Sequence, residues 1–193
     1  MTINLPAAQA AITMLLEAVG APHDEHTNNT PTRSSKAWAH MLSGYEGDPG
    51  RHLDITFPVQ GDAGLVIVSG IEVHSTCAHH LLPISGTATV AYRPNPDGRV
   101  VGLSKLSRLV DGYARRLQVQ EQLGSQILNA LTTHLNPQGA ACIISAEHGC
   151  MTIRGVQQRG TLTTTHAFSG EWSQNSSADR AAILAEHRLR HHP

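Results

Sequence analysis

Apolar residues recur at helical spacing from Ala7 to Val19, and the polar run Pro22 to Asn29 then breaks the pattern, so the chain opens with a short peripheral helix. Thr30-Pro31 reads as a second helix start, a hydroxyl cap followed by proline at the first helical position. Trp38, Met41 and Leu42 give that helix an apolar stripe ending near Gly44, and Arg33 and Lys36 share one of its faces. After the turn-rich connector Glu46 to Gly50 the period changes. Leu65 to Val73 and Gly86 to Tyr92 alternate and are rich in β-branched residues, and the turn Pro94 to Gly98 returns the chain at Arg99 to Gly102. Ser104 reads as the cap of a helix carrying Leu106, Leu109, Val110, Tyr113 and Leu117; Leu123, Ile127, Leu131 and Leu135 continue the stripe into a second long helix beyond a kink. Ala140 to Ala146, Met151 to Arg154 and Leu162 to Phe168 read as further strands, and Ser177 to Arg190 as a last helix. The pattern predicts an α+β fold, an antiparallel sheet covered by helices, with residues 1–29 as a helical extension and 30–193 as the main domain.

Composition narrows the function. At 193 residues there is room for one domain with a real core and no second catalytic domain. Lys+Arg 14 against Asp+Glu 15 leaves no general basic excess, which argues against a nucleic-acid binder and means that an anionic ligand must be met by a local basic cluster. No segment is long and apolar enough to cross a bilayer, and the first residues lack the basic-then-apolar order of a signal peptide. Three cysteines, an odd number, argue against a disulfide framework and for a reducing compartment such as the cytoplasm. An aromatic content of 4% implies an aliphatic core and fits a chain that buries surface against copies of itself.

The chemistry concentrates in two places. Cys77 and His80 sit at i and i+3, a spacing that lets a thiolate and an imidazole reach one cation, and Cys150 can complete a Cys/His/Cys triangle. His79 and His148 flank these ligands without being needed by a structural metal, an arrangement suited to metal-assisted proton transfer. Cys142 lies in Ala140 to Ile144, an apolar run, and reads as packing.

These residues, in this order, resemble the GTP cyclohydrolase I family. Thr30 to Arg33 with Lys36 and Ser43-Gly44-Tyr45 match its N-terminal signature, and Cys77 to Pro83 its metal loop. Gly102 to Val110, Arg116 to Glu121, Glu147 to Met151 and Arg154 to Val156 follow the family pattern nearly unbroken, so the resemblance spans about Thr30 to Gly170. It implies a tunnelling fold (T-fold), in which sheets of neighbouring subunits join into a barrel, and a homodecamer of two pentamers with active sites at subunit junctions. It implies zinc on Cys77, His80 and Cys150, with a fourth position for water, and hydrolysis of GTP at C8 with release of formate to give 7,8-dihydroneopterin triphosphate. His148 and His79 would move protons. Glu121 would read the guanine edge that carries N1–H and the exocyclic amine, with Gln120, Leu103 and Val119 completing the pocket. Lys105, Arg108, Arg154, Arg33 and Lys36 would hold the triphosphate, with Ser104 beside phosphate or ribose. Arg115 and Arg116 read as surface or interface charges, and the tail residues His187, His191 and His192 as solvated.

Three positions depart from that pattern: Ala78 where glutamate is usual, Gly149 where a larger residue is usual, and His166 where serine is commoner. The loss of a carboxylate at position 78 leaves open a paralogue that stops at the ring-opened formamide or serves a specialised deazapurine or pterin pathway. A nitrile reductase of the same fold group, which uses a cysteine nucleophile and a nicotinamide cofactor without zinc, is disfavoured by the Cys/His/Cys set. A catalytically silent nucleotide-binding relative is disfavoured by the presence of both His79 and His148.

Overall fold

The computed structural model describes residues 3–96, 98–174 and 177–190. Helix α1 (Leu5–Ala18) is capped by the Asn4 side chain, which accepts from the Ala7 N–H, and it buries none of its residues. It lies along α2 (Thr30–Met41), joined by a 2.9 Å bond from Gln9 Nε2 to Thr32 Oγ1. Asn29, not Thr30, holds the cap position of α2, and no side chain caps it; Pro31 falls in the first turn, where a missing N–H removes no intrahelical bond.

The centre is a five-stranded sheet in the order β5-β2-β3-β6-β7, made of β2 (Val66–Cys77), β3 (Pro83–Arg93), β5 (Leu117–Gln118), β6 (Gly139–His148) and β7 (Leu162–Gly170). All neighbours are antiparallel except β5, which runs parallel to β2. A separate two-stranded ribbon pairs β1 (Thr56–Pro58) with β4 (Arg99–Val101). The ladder of β2 on β3 is interrupted between Val68 and Ile71, where Gly70 takes φ +72°, a conformation that a side chain would resist.

Strand β6 is apolar on both faces, and the reason is visible in its neighbours. Ala140, Cys142, Ile144 and Ala146 meet the stripes of α3 (Leu103–Ala114) and α4 (Gln120–Leu135), notably Leu106, Leu109, Val110, Leu123, Ile127 and Leu131. Ala141 and Ile143 meet Trp172 and Ile183 on the other face, where α6 (Ala178–Leu189) lies. The long helices therefore pack on one face, and the last helix covers the other. The expected core is confirmed: Cys142 is fully enclosed, and burial pushes its thiol pKa up to about 12.

Several local expectations are corrected. The two long helices do not meet at a kink; β5 stands between them, and Leu117, read as helical, belongs to that strand. Gly102 rather than Ser104 occupies the cap position of α3. Residues expected to form a strand at Met151 to Arg154 begin instead with the short helix α5 (Gly149–Thr152), because the chain must turn where β6 ends. Ser177 does cap α6, accepting from the Arg180 N–H. His187 is not solvated: it is 4% exposed, with Nδ1 2.8 Å from Thr89 Oγ1 and Nε2 2.9 Å from Ser145 Oγ. His191, His192 and Asp97 of the 94–98 turn lie outside the described residues. Arg116 is a lock rather than a free surface charge: it donates to the carbonyls of Gly44 at 2.8 Å and Gly47 at 3.2 Å, and its guanidinium lies 5.0 Å from the Tyr113 ring centroid.

Candidate metal centre

Cys77 ends β2, and its position is fixed by backbone bonds on both sides. Its N–H donates to Leu82 O at 2.8 Å, while the next N–H, of Ala78, crosses to Gln118 O of β5 at 2.9 Å. Leu81 takes φ +57° and closes a tight return into Pro83 of β3. That turn brings His80 Nδ1 to 3.9 Å from Cys77 Sγ. The third donor arrives from β6: the register pairs Ile84 with His148, so β6 ends beside the loop and α5 delivers Cys150. Gly149 makes this approach possible. A Cβ there would stand 3.1 Å from Pro83 Cδ and 3.3 Å from Leu82 Cβ, so a larger residue requires the loop to give.

The donor atoms of Cys77, His80 and Cys150 lie within 4.8 Å of one another. A tetrahedral zinc ion, with bonds of about 2.3 Å to sulfur and about 2.0 Å to nitrogen, sets donors about 3.5–3.8 Å apart, so the triangle needs only a small contraction to accept one. Two thiols and an imidazole are also the donor chemistry that zinc prefers over hard cations. Burial, and then the neighbouring Cys77, push the Cys150 thiol above its ordinary range; a cation between the two sulfurs would remove that penalty. Cys77 is 5% exposed, Cys150 is half-buried and His80 is exposed, so the triangle opens outward on one side. Among the described residues it is the one group of three or more metal-type side chains.

Beside the triangle His148 is held by an amide whose orientation is determined. Gln120, 2% exposed, donates through Nε2 to the carbonyls of Ile144 and Thr163, both at 2.9 Å, so its Oε1 must face His148 Nε2, 2.7 Å away. A carbonyl-type oxygen only accepts; His148 therefore carries a proton on Nε2 and presents Nδ1 as the open nitrogen. Burial lowers the His148 pKa, and the Glu121 carboxylate opposes that shift. Glu121 stands exposed in the first turn of α4, one residue past Gln120. His79 is exposed, its ring 6.2 Å from that of His80 in an edge-on arrangement.

The remaining sequence candidates separate. Arg154 reaches the centre, its Nη1 3.1 Å from His80 Nε2. Val119 caps α4 beside Gln120. Leu103, Ser104, Lys105 and Arg108 are on α3, Arg33 and Lys36 on α2, and none of these six makes a side-chain hydrogen bond or ion pair to the metal loop among the described residues. Arg108 instead lines a cleft of about 290 Å³ with Asp48, His52 and Asp111. Sequence reasoning missed the scaffold role of Gln120 and the pinning of the loop by β5; neither carries a periodic signal.

Comparison with known proteins places the chain in a family. The sequence profile of GTP cyclohydrolase I matches residues 8–187. A protein named GTP cyclohydrolase 1 from Mycolicibacterium paratuberculosis is 47% identical over 92% of this chain and 86% of its own length, and one of the same name from Corynebacterium aurimucosum is 43% identical over 96% and 98%. A solved apo structure of an archaeosine synthase QueF-like protein aligns at 22% identity and a TM-score of 0.45, covering 55% of this chain and 93% of that one. With a matching profile over nearly its whole length and relatives close to half identical, the chain belongs to the GTP cyclohydrolase I family.

Proposed function

We propose that this chain hydrolyses GTP at C8 of the guanine ring with zinc bound by Cys77, His80 and Cys150, releasing formate and yielding 7,8-dihydroneopterin triphosphate. The observation that carries the reading is the donor triangle lying beside a histidine whose tautomer Gln120 fixes. When bound, zinc supplies the Lewis acidity that brings the pKa of a water toward about 7.

The chain's own residues divide the rest. His148, with its proton held at Nε2, accepts at Nδ1 and returns that proton to the ring nitrogen as the C–N bond breaks. Its burial-lowered pKa keeps the neutral, accepting form populated at neutral pH. His79, exposed at the mouth, carries protons at the ribose end. Glu121 accepts from guanine N1–H and the exocyclic amine, two donors that adenine does not offer together. Arg154 has donors only, so it meets His80 Nε2 only while that nitrogen keeps its lone pair; an imidazole ligating through Nδ1 carries its proton on Nε2 and frees the guanidinium for phosphate.

Arg33, Lys36, Lys105 and Arg108 bind the triphosphate from a neighbouring copy in this reading, which is supported by their making no side-chain hydrogen bond or ion pair to the metal loop among the described residues. The protein is then a homo-oligomer, a decamer of two pentamers, with sites at the junctions. Exposed Phe57, Leu81, Ile153 and Val156 are apolar surface that such contacts would cover. No helix among the described residues is long and apolar enough to cross a membrane; a cytoplasmic location is proposed from the three free cysteines.

The test is incubation of zinc-loaded protein with GTP, with formate assayed and the nucleotide identified by mass. Stoichiometric formate with dihydroneopterin triphosphate supports the reading. Formamide accumulation would mean that Ala78 has halted the reaction early, and GTP binding without turnover would overturn it.

A further inference from the structure

A second cavity, of about 390 Å³, lies on the opposite face of the sheet from α3 and α4, between β6, β7 and α6. Its polar wall is made by Ser145, Thr164, His166, His187 and Arg188. Ser145 pairs with Thr164 across the strands and Ile143 with His166, so these side chains project on the α6 side, whereas Gln120 meets the other face. The metal centre and this cavity are therefore separate places.

The wall is organised. His187 bridges Thr89 Oγ1 and Ser145 Oγ, and Ser145 Oγ continues to Thr164 Oγ1 at 2.7 Å, a chain of hydroxyls leading from the buried sheet to the cavity. Among the described residues no carboxylate lines it. Arg188 forms no ion pair among the described residues, while the neighbouring acid on α6, Glu186, is engaged by Ser69 at 3.0 Å. In a chain of net charge −1 this guanidinium with its neighbouring hydroxyl and imidazole groups is a local feature, not part of a general excess. His166 registers the same field: burial first, then Arg180 and Arg188, lower its pKa. Leu162 and Leu184 supply an apolar side, and the volume falls in the range of small-molecule sites.

We propose that this cavity binds a small organic oxyanion, a carboxylate or phosphate group carrying a short apolar substituent, independently of the metal centre. Arg188 meets the anion, the Thr164 hydroxyl and the His166 ring add hydrogen bonds, and the two leucines take the substituent. Hydrogen bonds to charged groups are the strong class, so loss of the guanidinium weakens binding about tenfold.

The experiment is calorimetric titration of the full-length, zinc-loaded protein with isovalerate and, separately, with inorganic phosphate. A binding event that Arg188→Gln weakens about tenfold, that His166→Ala also weakens, and that Arg108→Gln leaves unchanged supports the site. An isovalerate response points to carboxylates, and a phosphate response with isovalerate silent points to phosphate groups. No binding of either probe, or binding that Arg108→Gln removes and Arg188→Gln does not, overturns the proposal.

Discussion

Gln120 Oε1 lies 2.7 Å from His148 Nε2, and the amide nitrogen of the same residue is committed to two backbone carbonyls. The strand β6 and the strand β7 thus decide, through one side chain, which nitrogen of the histidine beside the candidate metal centre is available. Gln120→Leu should lower kcat about 10–100-fold while zinc content stays at the wild-type level. Gln120→Glu should instead destabilise the fold by about 1–3 kcal/mol in urea denaturation, because an oxygen would replace the donor facing Ile144 O and Thr163 O. If both variants keep wild-type rates and stability, the amide orientation is wrong.

Metal content should follow the donor triangle and ignore the third cysteine. Cys150→Ala is expected to reduce bound zinc to background in elemental analysis, while Cys142→Ala, in a fully enclosed site with its thiol pKa near about 12, should retain full occupancy. Chelation of the wild type should abolish formate release, and added zinc should restore it.

Restoring a carboxylate at the departing position tests the loop. The Ala78 side chain is exposed and its backbone N–H, not its side chain, ties the loop to Gln118 O. Ala78→Glu should therefore leave zinc content unchanged and show any effect in product distribution or rate. A large change in occupancy would mean that position 78 shapes the ligand triangle.

Stability in acid should depend on a clamp far from the metal. Arg93 grips Asp179 with Nε at 2.7 Å and Nη2 at 2.9 Å, joining the end of β3 to the start of α6. The Arg93 guanidinium holds the Asp179 carboxyl below the usual carboxylate range. A carboxylate with a depressed native pKa contributes above its unfolded value of about 3.9 and loses that contribution as pH falls through the native value. Asp179→Asn should cost about 1–2 kcal/mol at pH 7, and the difference from wild type should shrink below about pH 4. An equal gap at both pH values would refute the linkage.

The sequence pointed to the Cys77, His80 and Cys150 cluster because its signal is local: Cys77 and His80 share one turn of chain, and the structure brings Cys150 to within 4.8 Å of them. It carried the strands and long helices because each is long enough to show a period. What escaped was short or relational. Strand β5 has two residues and α5 four, too few for any repeat. His187 was misread from its place near the terminus, although it sits four residues after fully buried Ile183 and so shares its helix face. Gln120 is the first residue of α4, where a polar side chain ordinarily meets solvent; only its position over β6 and β7 explains its burial.

The two-residue strand β5 has a wider effect. Gln118 holds the loop bearing Cys77 and His80, and Glu121 follows three residues later on the same backbone, so the candidate ligand loop and the proposed reader of the base are joined within one subunit by a direct backbone bond. The cations of α2 and α3 proposed for the phosphate tail make no side-chain hydrogen bond or ion pair to that loop among the described residues. Choice of purine would then be intrinsic to each subunit, whereas the grip on the tail would be a collective property of the assembly. Dilution into dissociated subunits should raise KM for GTP without letting ATP in.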